Sequence, residues 1–349
     1  MKNKIFITGM GRSGTTLIEK LLTNHPKIDM LSQPFPLVFI SLKSMFLESI
    51  GINEYYVLNN NTNDTKYTQE EFDKFLSNVN IKQEFLINLF AKMQQYSGQY
   101  TKPNSLIRTE TDKGFYNFNE IFEASLNYFS LKNKEFTGTK ETMCEEFLPY
   151  LCNNQFKSII IVRDPRDVVA SANYPKGEKH FGSKKPILFI LRTWIKSINY
   201  IRLLQKNKNL FYFKYEDLVT APYEVLAKVT DFLGTTPFEK NHFEKGIYDR
   251  DGELWKANTS FDTKTSFISS KSVGGYRNVL SDDEINYIES ICKSEMELMG
   301  YNFDTQPNKE IIQTFKDYGV EASEHLDKEF SSLKENIEQE IKRYDATAN

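Results

Sequence analysis

Ile5-Phe6-Ile7-Thr8-Gly9-Met10-Gly11-Arg12-Ser13-Gly14-Thr15-Thr16-Leu17 decides the fold. Its first residues are large, apolar and mostly β-branched, which makes a short strand buried on both faces. Glycines at 9, 11 and 14 follow, and Thr15 to Leu22 reads as a helix. Glycines let the backbone curl so that several N–H groups converge on one anion, and the helix N-terminus adds partial positive charge. A phosphate is the expected guest, held by Gly11, Arg12, Ser13, Gly14, Thr15 and Thr16. The spacing is that of the nucleotide P-loop, G-x-x-x-x-G-K-[ST], with Thr15 where the lysine belongs. That lysine serves the β- and γ-phosphates of a nucleoside triphosphate, so its absence argues against ATP or GTP hydrolysis. The cation of this loop is Arg12, placed to meet charge at the end of a shorter phosphate chain.

Working outward, further short strands are expected at 28–31, 136–137, 158–162 and 210–213, separated by helices near 141–152, 165–173 and 186–206. Strands alternating with helices predict an α/β, P-loop-type, three-layer fold with a central parallel sheet flanked by helices. The segment 33–130 is long for one crossover and reads as an inserted helical cap, with one helix over 69–96 and a loop over 59–68. Residues 1–300 make the main domain. Ser281 with Asp282-Asp283-Glu284 looks like a capped helix start, and 301–349 form a helical C-terminal extension. Leu326, Phe330, Leu333, Ile337 and Ile341 stripe the last helix. The stripe packs on the protein's own surface or, alternatively, pairs two copies as a homodimer.

A second phosphate site is legible at Ser158-Ile159-Ile160-Ile161-Val162, a buried strand ended by Arg163-Asp164-Pro165-Arg166-Asp167. Pro165 suits the first turn of a helix, which puts Ser171 two turns in. Arg163 supplies a fork of donors and Ser171 a hydroxyl, so the two can converge on one anion. The competing readings are a strand-end Asp164 beside magnesium and a salt-bridged surface turn.

Composition narrows the partners. The 349 residues carry Lys+Arg 44 against Asp+Glu 47, a net charge of -3, which excludes a protein that relies on a basic surface to hold nucleic acid or anionic membrane. Cys144, Cys152 and Cys292 form no C-x-x-C pair and fit a reducing compartment. The four histidines are scattered, so no zinc site is assembled from spacing. Ile5-Phe6-Ile7 runs straight into glycines, unlike a signal peptide. The longest apolar stretch, Pro36 to Leu47, is broken by Lys43 and too short to span a bilayer. A cytoplasmic protein without a membrane span is expected.

The two motifs, with His25-Pro26 downstream of the first, resemble those of the sulfotransferases that use 3'-phosphoadenosine 5'-phosphosulfate (PAPS), in particular the tyrosylprotein-sulfotransferase-like and bacterial branch. Supporting echoes are Lys140 after a short strand, Tyr215-Glu216-Asp217-Leu218 after another, and Lys271-Ser272-Val273-Gly274-Gly275-Tyr276-Arg277-Asn278. The resemblance implies that the first loop holds the 5'-phosphosulfate and that Arg163 and Ser171 hold the 3'-phosphate. It also implies that Tyr215 lies near the nucleotide and that Lys271, Gly274 and Gly275 belong to a loop closing over the 3'-phosphate. PAPS is the implied co-substrate, with 3'-phosphoadenosine 5'-phosphate (PAP) as product and no metal required.

Sulfuryl transfer is an in-line displacement in which charge builds on the leaving bridge oxygen, so catalysis is positioning plus cations aimed there. Arg12 and Lys140 are the candidates. In this branch a glutamate follows the His-Pro pair; here Gln33 stands in its place, and an amide accepts no proton at neutral pH. Then Glu110, Asp112 or Glu141 serves as base, or the acceptor is easily ionised, or the protein binds the nucleotide without turnover; His25 is less favoured. Two other function classes compete: a P-loop kinase or NTPase, and a non-catalytic PAP- or PAPS-binding protein. The acceptor is expected to be a hydroxyl or amine of a small molecule, glycan or lipid precursor.

Overall fold

A computed structural model describes residues 3–52, 67–93, 115–129, 131, 133–175, 184–256, 266–317 and 333–347. Five strands form one sheet: β1 (Asn3–Thr8), β2 (Ile28–Ser32), β5 (Phe136–Lys140), β6 (Lys157–Val162) and β7 (Leu210–Lys214). Their order is β2-β5-β1-β6-β7 and every pairing is parallel. Successive residues of β1 point to opposite faces, and both faces are covered. Phe6 joins Ile160, Val162 and Leu31 in one core cluster, while Ile5 and Ile7 join Ile159, Ile161 and Met30 in another.

The first cluster packs under α2 (Pro36–Ser49), α5 (Phe118–Phe129), α6 (Leu148–Asn153) and α8 (Ile187–Leu204). The second packs under α1 (Thr15–Thr23) and α10 (Pro222–Leu233). The connection leaving β1 therefore crosses one face, and those leaving β5 and β6 cross the other. Winding reverses beside β1, and the strand ends open a crevice at such a point. Register sets their level: Ile7 and Ser32 both pair with Lys140, and Val162 pairs with Lys214.

The cap departs from expectation. In place of one helix over 69–96 there are α3 (Gln69–Asn78), a two-residue strand β3 (Ile81–Lys82) and α4 (Gln83–Met93). The chain leaves α3 at Val79, which is extended, and Ile81 pairs with Tyr116 of β4 (Phe115–Tyr116). Apolar periodicity runs through the break because both helices face the same core, while Asn78 and Asn80 favour ending a helix. The loop expected over 59–68 lies outside the described residues from 59 to 66. Phe39 packs on Phe6 and Phe147 at 5.8 and 4.6 Å, and Phe46 on Phe72 at 5.0 Å, so these cap aromatics are core.

Past the sheet, α7 (Pro165–Asn173) follows β6 and α9 (Tyr215–Thr220) follows β7. Beyond Ser281 come α11 (Asp282–Ile291) and α12 (Lys293–Met299), and the 301–349 extension holds α13 (Lys309–Thr314) and a last helix, α14 (Leu333–Thr347). Ser281 and Glu284 form the expected reciprocal cap of α11. On α14, Ile337, Ile341 and Tyr344 pack against the main core, and Glu340 pairs with Arg192 of α8 at 2.7 Å, both buried. Leu326 and Phe330 lie outside the described residues. Ile337 and Ile341, in the described part of the stripe, thus pack within the chain and remain partly exposed.

Candidate anion-binding site

Between β1 and α1 the backbone takes conformations that side chains resist. Gly9 has φ 143, and a Cβ there would stand 2.6 Å from the Ile161 carbonyl oxygen of β6. Gly14, the N-cap of α1, has φ 95, and its Cβ would stand 2.4 Å from Tyr215 Cδ2. Arg12 between them has φ 72, a left-handed conformation uncommon outside glycine and typical of strained functional loops. The N-terminus of α1 carries no side-chain cap. The helical ladder of α1 begins with Ile18 N–H on the Gly14 carbonyl at 3.2 Å, leaving the preceding N–H groups to the loop.

The two sequence motifs meet here. Arg12 Nε donates to Ser171 Oγ at 2.9 Å. Arg163 donates from Nη1 to the Arg12 carbonyl at 3.2 Å and from Nη2 to the Ser272 carbonyl at 2.8 Å. Its guanidinium lies 4.7 Å from the centre of the Tyr215 ring, whose hydroxyl is 2.9 Å from Ser272 Oγ. Tyr215 thus covers Gly14 and braces Arg163. Burial first, and then the charge of Arg163, push the Arg12 guanidinium down to about 10, with Tyr215 working the other way. Two cations this close are the setting an anion relieves.

The late loop also reaches the site. Asp167 of α7 accepts the Gly274 N–H at 2.8 Å and the Tyr276 N–H at 3.0 Å, which seats Gly274 and Gly275 beside α7. Lys271 is exposed, one residue before Ser272. Asp164 does not stand ready for magnesium. Its carboxylate takes Arg166 Nε and Nη2 at 2.9 and 2.6 Å and caps the Arg166 N–H at 2.9 Å.

Lys140, at the end of β5, donates to Gln33 Oε1 at 2.8 Å. Gln33 Nε2 donates to Thr142 Oγ1 at 3.1 Å, and the Gln33 N–H to the Lys140 carbonyl at 2.9 Å. Gln33 has φ 43, and its amide is pinned with the oxygen toward the lysine. Burial pulls the Lys140 ammonium down, opposed by Glu19 and Glu141. Glu141, the next residue, points to the other face of the sheet. There its Oε1 accepts from the Phe35 N–H at 3.0 Å and the Thr139 hydroxyl at 2.9 Å, and burial raises its pKa.

The other candidate bases fare differently. His25 Nδ1 accepts from the Lys27 N–H at 3.2 Å, so its proton sits on Nε2, which donates to the Thr236 carbonyl at 2.8 Å. Nδ1 serves the turn and Nε2 ties it to the segment after α10, so both nitrogens are occupied. Glu110 and Asp112 lie outside the described residues.

Several contributors escaped the sequence reading: Asp167; Thr142; Trp194, whose Nε1 donates to the Arg163 carbonyl at 2.8 Å; and Glu216, which takes the Asp164 N–H at 2.9 Å. Asp167 and Glu216 were visible as acids inside the quoted motifs, but nothing local marked their partners.

The residues fit a phosphorylated, anionic ligand. Ser13 Oγ and Arg163 Nε are buried without a hydrogen-bond partner, and buried polar atoms are rarely left so. Each belongs to a residue expected to meet phosphate oxygen.

Comparison with known proteins gives the following. The family model described as Sulfotransferase domain matches residues 2–300. Among solved structures, the sulfotransferase domain from the curacin biosynthetic pathway is 18% identical with a TM-score of 0.50, covering 87% of this chain and 99% of that one. The sulfotransferase domain of the Synechococcus PCC 7002 olefin synthase is 18% identical, with a TM-score of 0.42 and coverage of 81% and 90%. Mouse sulfotransferase SULT7A1 complexed with PAP is 13% identical, with a TM-score of 0.43 and coverage of 85% of each chain. No curated protein sequence matches.

Proposed function

Since the chain belongs to the sulfotransferase domain family, we propose that it moves the sulfuryl group of PAPS to a hydroxyl or amine of a small molecule, glycan or lipid precursor. The observation that carries the reading is the bond from Arg12 Nε to Ser171 Oγ at 2.9 Å. It joins the loop assigned to the 5'-phosphosulfate with the helix assigned to the 3'-phosphate, the feature that separates this donor from ordinary adenine nucleotides.

In this reading the glycine loop and the leading N–H groups of α1 hold the 5' end, with Ser13 and Thr15 lining it. Arg163 and Ser171 take the 3'-phosphate, and Lys271, Gly274 and Gly275 close beside it. Tyr215 keeps Arg163 flat against the loop. Arg12 and Lys140 meet the charge that develops on the leaving phosphate as sulfur is displaced in line. Gln33 orients Lys140 through its amide oxygen and does not act as the base. Its pinned geometry supports that role, because an amide so held presents no proton acceptor to an incoming hydroxyl.

Among the described residues no helix is long and apolar enough to cross a membrane; a cytoplasmic location is part of the proposal.

The test is a thermal-shift titration with PAP beside ADP and Mg²⁺-ATP. A ligand at about 100 times its dissociation constant stabilises the native state by roughly 2.7 kcal/mol. A PAP-specific shift, followed by sulfation of an acceptor from PAPS, is expected. A shift with Mg²⁺-ATP alone overturns the reading, and PAP binding without turnover on a broad acceptor panel reduces it to a binding protein.

A further inference from the structure

Lys196 lies on α8, away from both sequence motifs, yet its ammonium is buried in the segment that follows β5. It donates to the Met143 carbonyl at 2.8 Å and to Glu146 Oε2 at 2.8 Å, with Glu145 Oε2 at 3.3 Å. Met143 has φ 61, a left-handed conformation that a long side chain does not favour. Its N–H donates to the Gly9 carbonyl at 3.0 Å, and the next N–H, of Cys144, to Thr8 Oγ1 at 3.1 Å. Residues 143 and 144 therefore grip the point where β1 passes into the glycine loop, and Lys196 grips Met143.

The charges around Lys196 keep it a donor. Burial works to remove its proton, but Glu146 and Glu145 outweigh burial and hold it charged. Glu146 in turn is drawn down to about 2: burial opposes, and Lys196 and Lys43 prevail. Lys43 stands on α2, 3.8 Å from Glu146, and Gln69 of α3 donates to the Glu146 carbonyl at 2.9 Å. A purely structural clamp between α8 and the cap would need these ion pairs. It would not need the bond to a strained carbonyl one hydrogen bond away from Gly9.

We propose that Lys196 is a positioning residue for the donor: by holding the Met143 carbonyl it fixes the Gly9 carbonyl, and with it the aim of the glycine loop's N–H groups at the phosphosulfate. The inference rests on the reading of this loop as the PAPS site, and wild-type titration with PAP tests that reading separately. If the wild-type protein binds no PAP, both fail. If it does, the variants decide the inference alone.

The variant is Lys196→Met/Glu145→Gln, which deletes one cation and one anion and leaves Lys43 with Glu146. PAP affinity is expected to fall about tenfold, the scale of one charged hydrogen bond. The KM for PAPS should rise in step, with the KM for the acceptor unchanged. Lys196→Arg, which keeps a donor and the charge, should restore most of the donor affinity. Unchanged PAP affinity in the folded double variant, whatever its melting temperature, overturns the proposal; so does a loss confined to the acceptor KM. Should the variant fail to fold, hydrogen exchange on the wild-type protein serves: saturating PAP is expected to slow exchange of the Met143 amide. Equal exchange with and without PAP overturns it.

Discussion

Arg12 Nε donates a hydrogen bond to Ser171 Oγ at 2.9 Å, across 159 positions of sequence. The bond fastens the turn after β1 to the helix after β6, so the side chains proposed to read the two ends of the donor touch one another. Arg163 donates to the carbonyl of the same Arg12 at 3.2 Å, so Arg12 touches both of the others. Disturbing any of the three is expected to be felt by the other two.

Ser171→Ala should lower PAP affinity by about 1 kcal/mol, or roughly fivefold, and Arg163→Ala by about 1.5–3 kcal/mol. ADP, which has no 3'-phosphate, should lose less in both cases. Calorimetric titration with the two nucleotides checks this; an unchanged preference for PAP over ADP in Arg163→Ala contradicts the assignment.

Gly14→Ala should be costly twice. A side chain at φ 95 carries roughly 1–2 kcal/mol of strain, and its Cβ meets Tyr215 at 2.4 Å, forcing the ring off Arg163. Both melting temperature and PAP affinity should drop. Adding Tyr215→Ala should recover part of the stability and none of the affinity. Full recovery of affinity would mean that Tyr215 does not brace Arg163.

Burial lowers the Lys140 pKa from the ordinary 10.5, so the folded protein sheds this proton at a lower pH than the unfolded chain. The charged lysine therefore burdens the fold, and the burden lifts as pH rises through the depressed value. Transfer, which in the proposed role of Lys140 uses the charge, should fail over the same range. A pH–rate profile is expected to show an alkaline limb well below 10.5. Lys140→Gln should lower kcat and erase the limb.

Gln33→Glu sets a carboxylate where the amide oxygen now lies, 2.8 Å from Lys140 Nζ. An opposite charge at that distance favours the ammonium, so the alkaline limb should move to higher pH. The new carboxylate also offers a proton acceptor, worth about 10²–10⁴-fold in general-base catalysis, and turnover of alcohol acceptors should rise. A profile identical to wild type would remove the Gln33–Lys140 pair from the reaction.

Glu340→Ala leaves Arg192 buried with one ionic partner fewer. Breaking such a pair costs about 3–5 kcal/mol, so the melting temperature should fall while PAP affinity stays level. Loss of PAP affinity at a temperature where the variant is folded would mean that the tail reaches the donor site.

Local chemistry made the donor side legible. A buried apolar strand running into closely set glycines has few conformations open to it, and Pro165 after Arg163-Asp164 places a helix start. Those constraints act within a dozen residues, which is why the glycine loop, the β6–α7 turn and the parallel sheet followed from the residue order. Apolar periodicity served less well in the cap. It reports which residues face the core, and it is indifferent to whether the backbone between them breaks, as it does between α3 and α4.

What residue order could not settle was pairing at long range. Gln33 was visible as an amide in an unusual place, but its orientation depends on Lys140 and Thr142, more than a hundred positions away. Asp167 read as one more acid in an Arg-Asp-Pro-Arg-Asp turn until the fold laid Gly274 and Tyr276 against it. Lys196, inside the helix expected near 186–206, carried no signal of its own; the packing of α8 on the segment after β5 gives it the Met143 carbonyl. A hydrogen bond is decided by a few tenths of an ångström and by direction. Those quantities are set only when strands take their register and helices settle on the sheet.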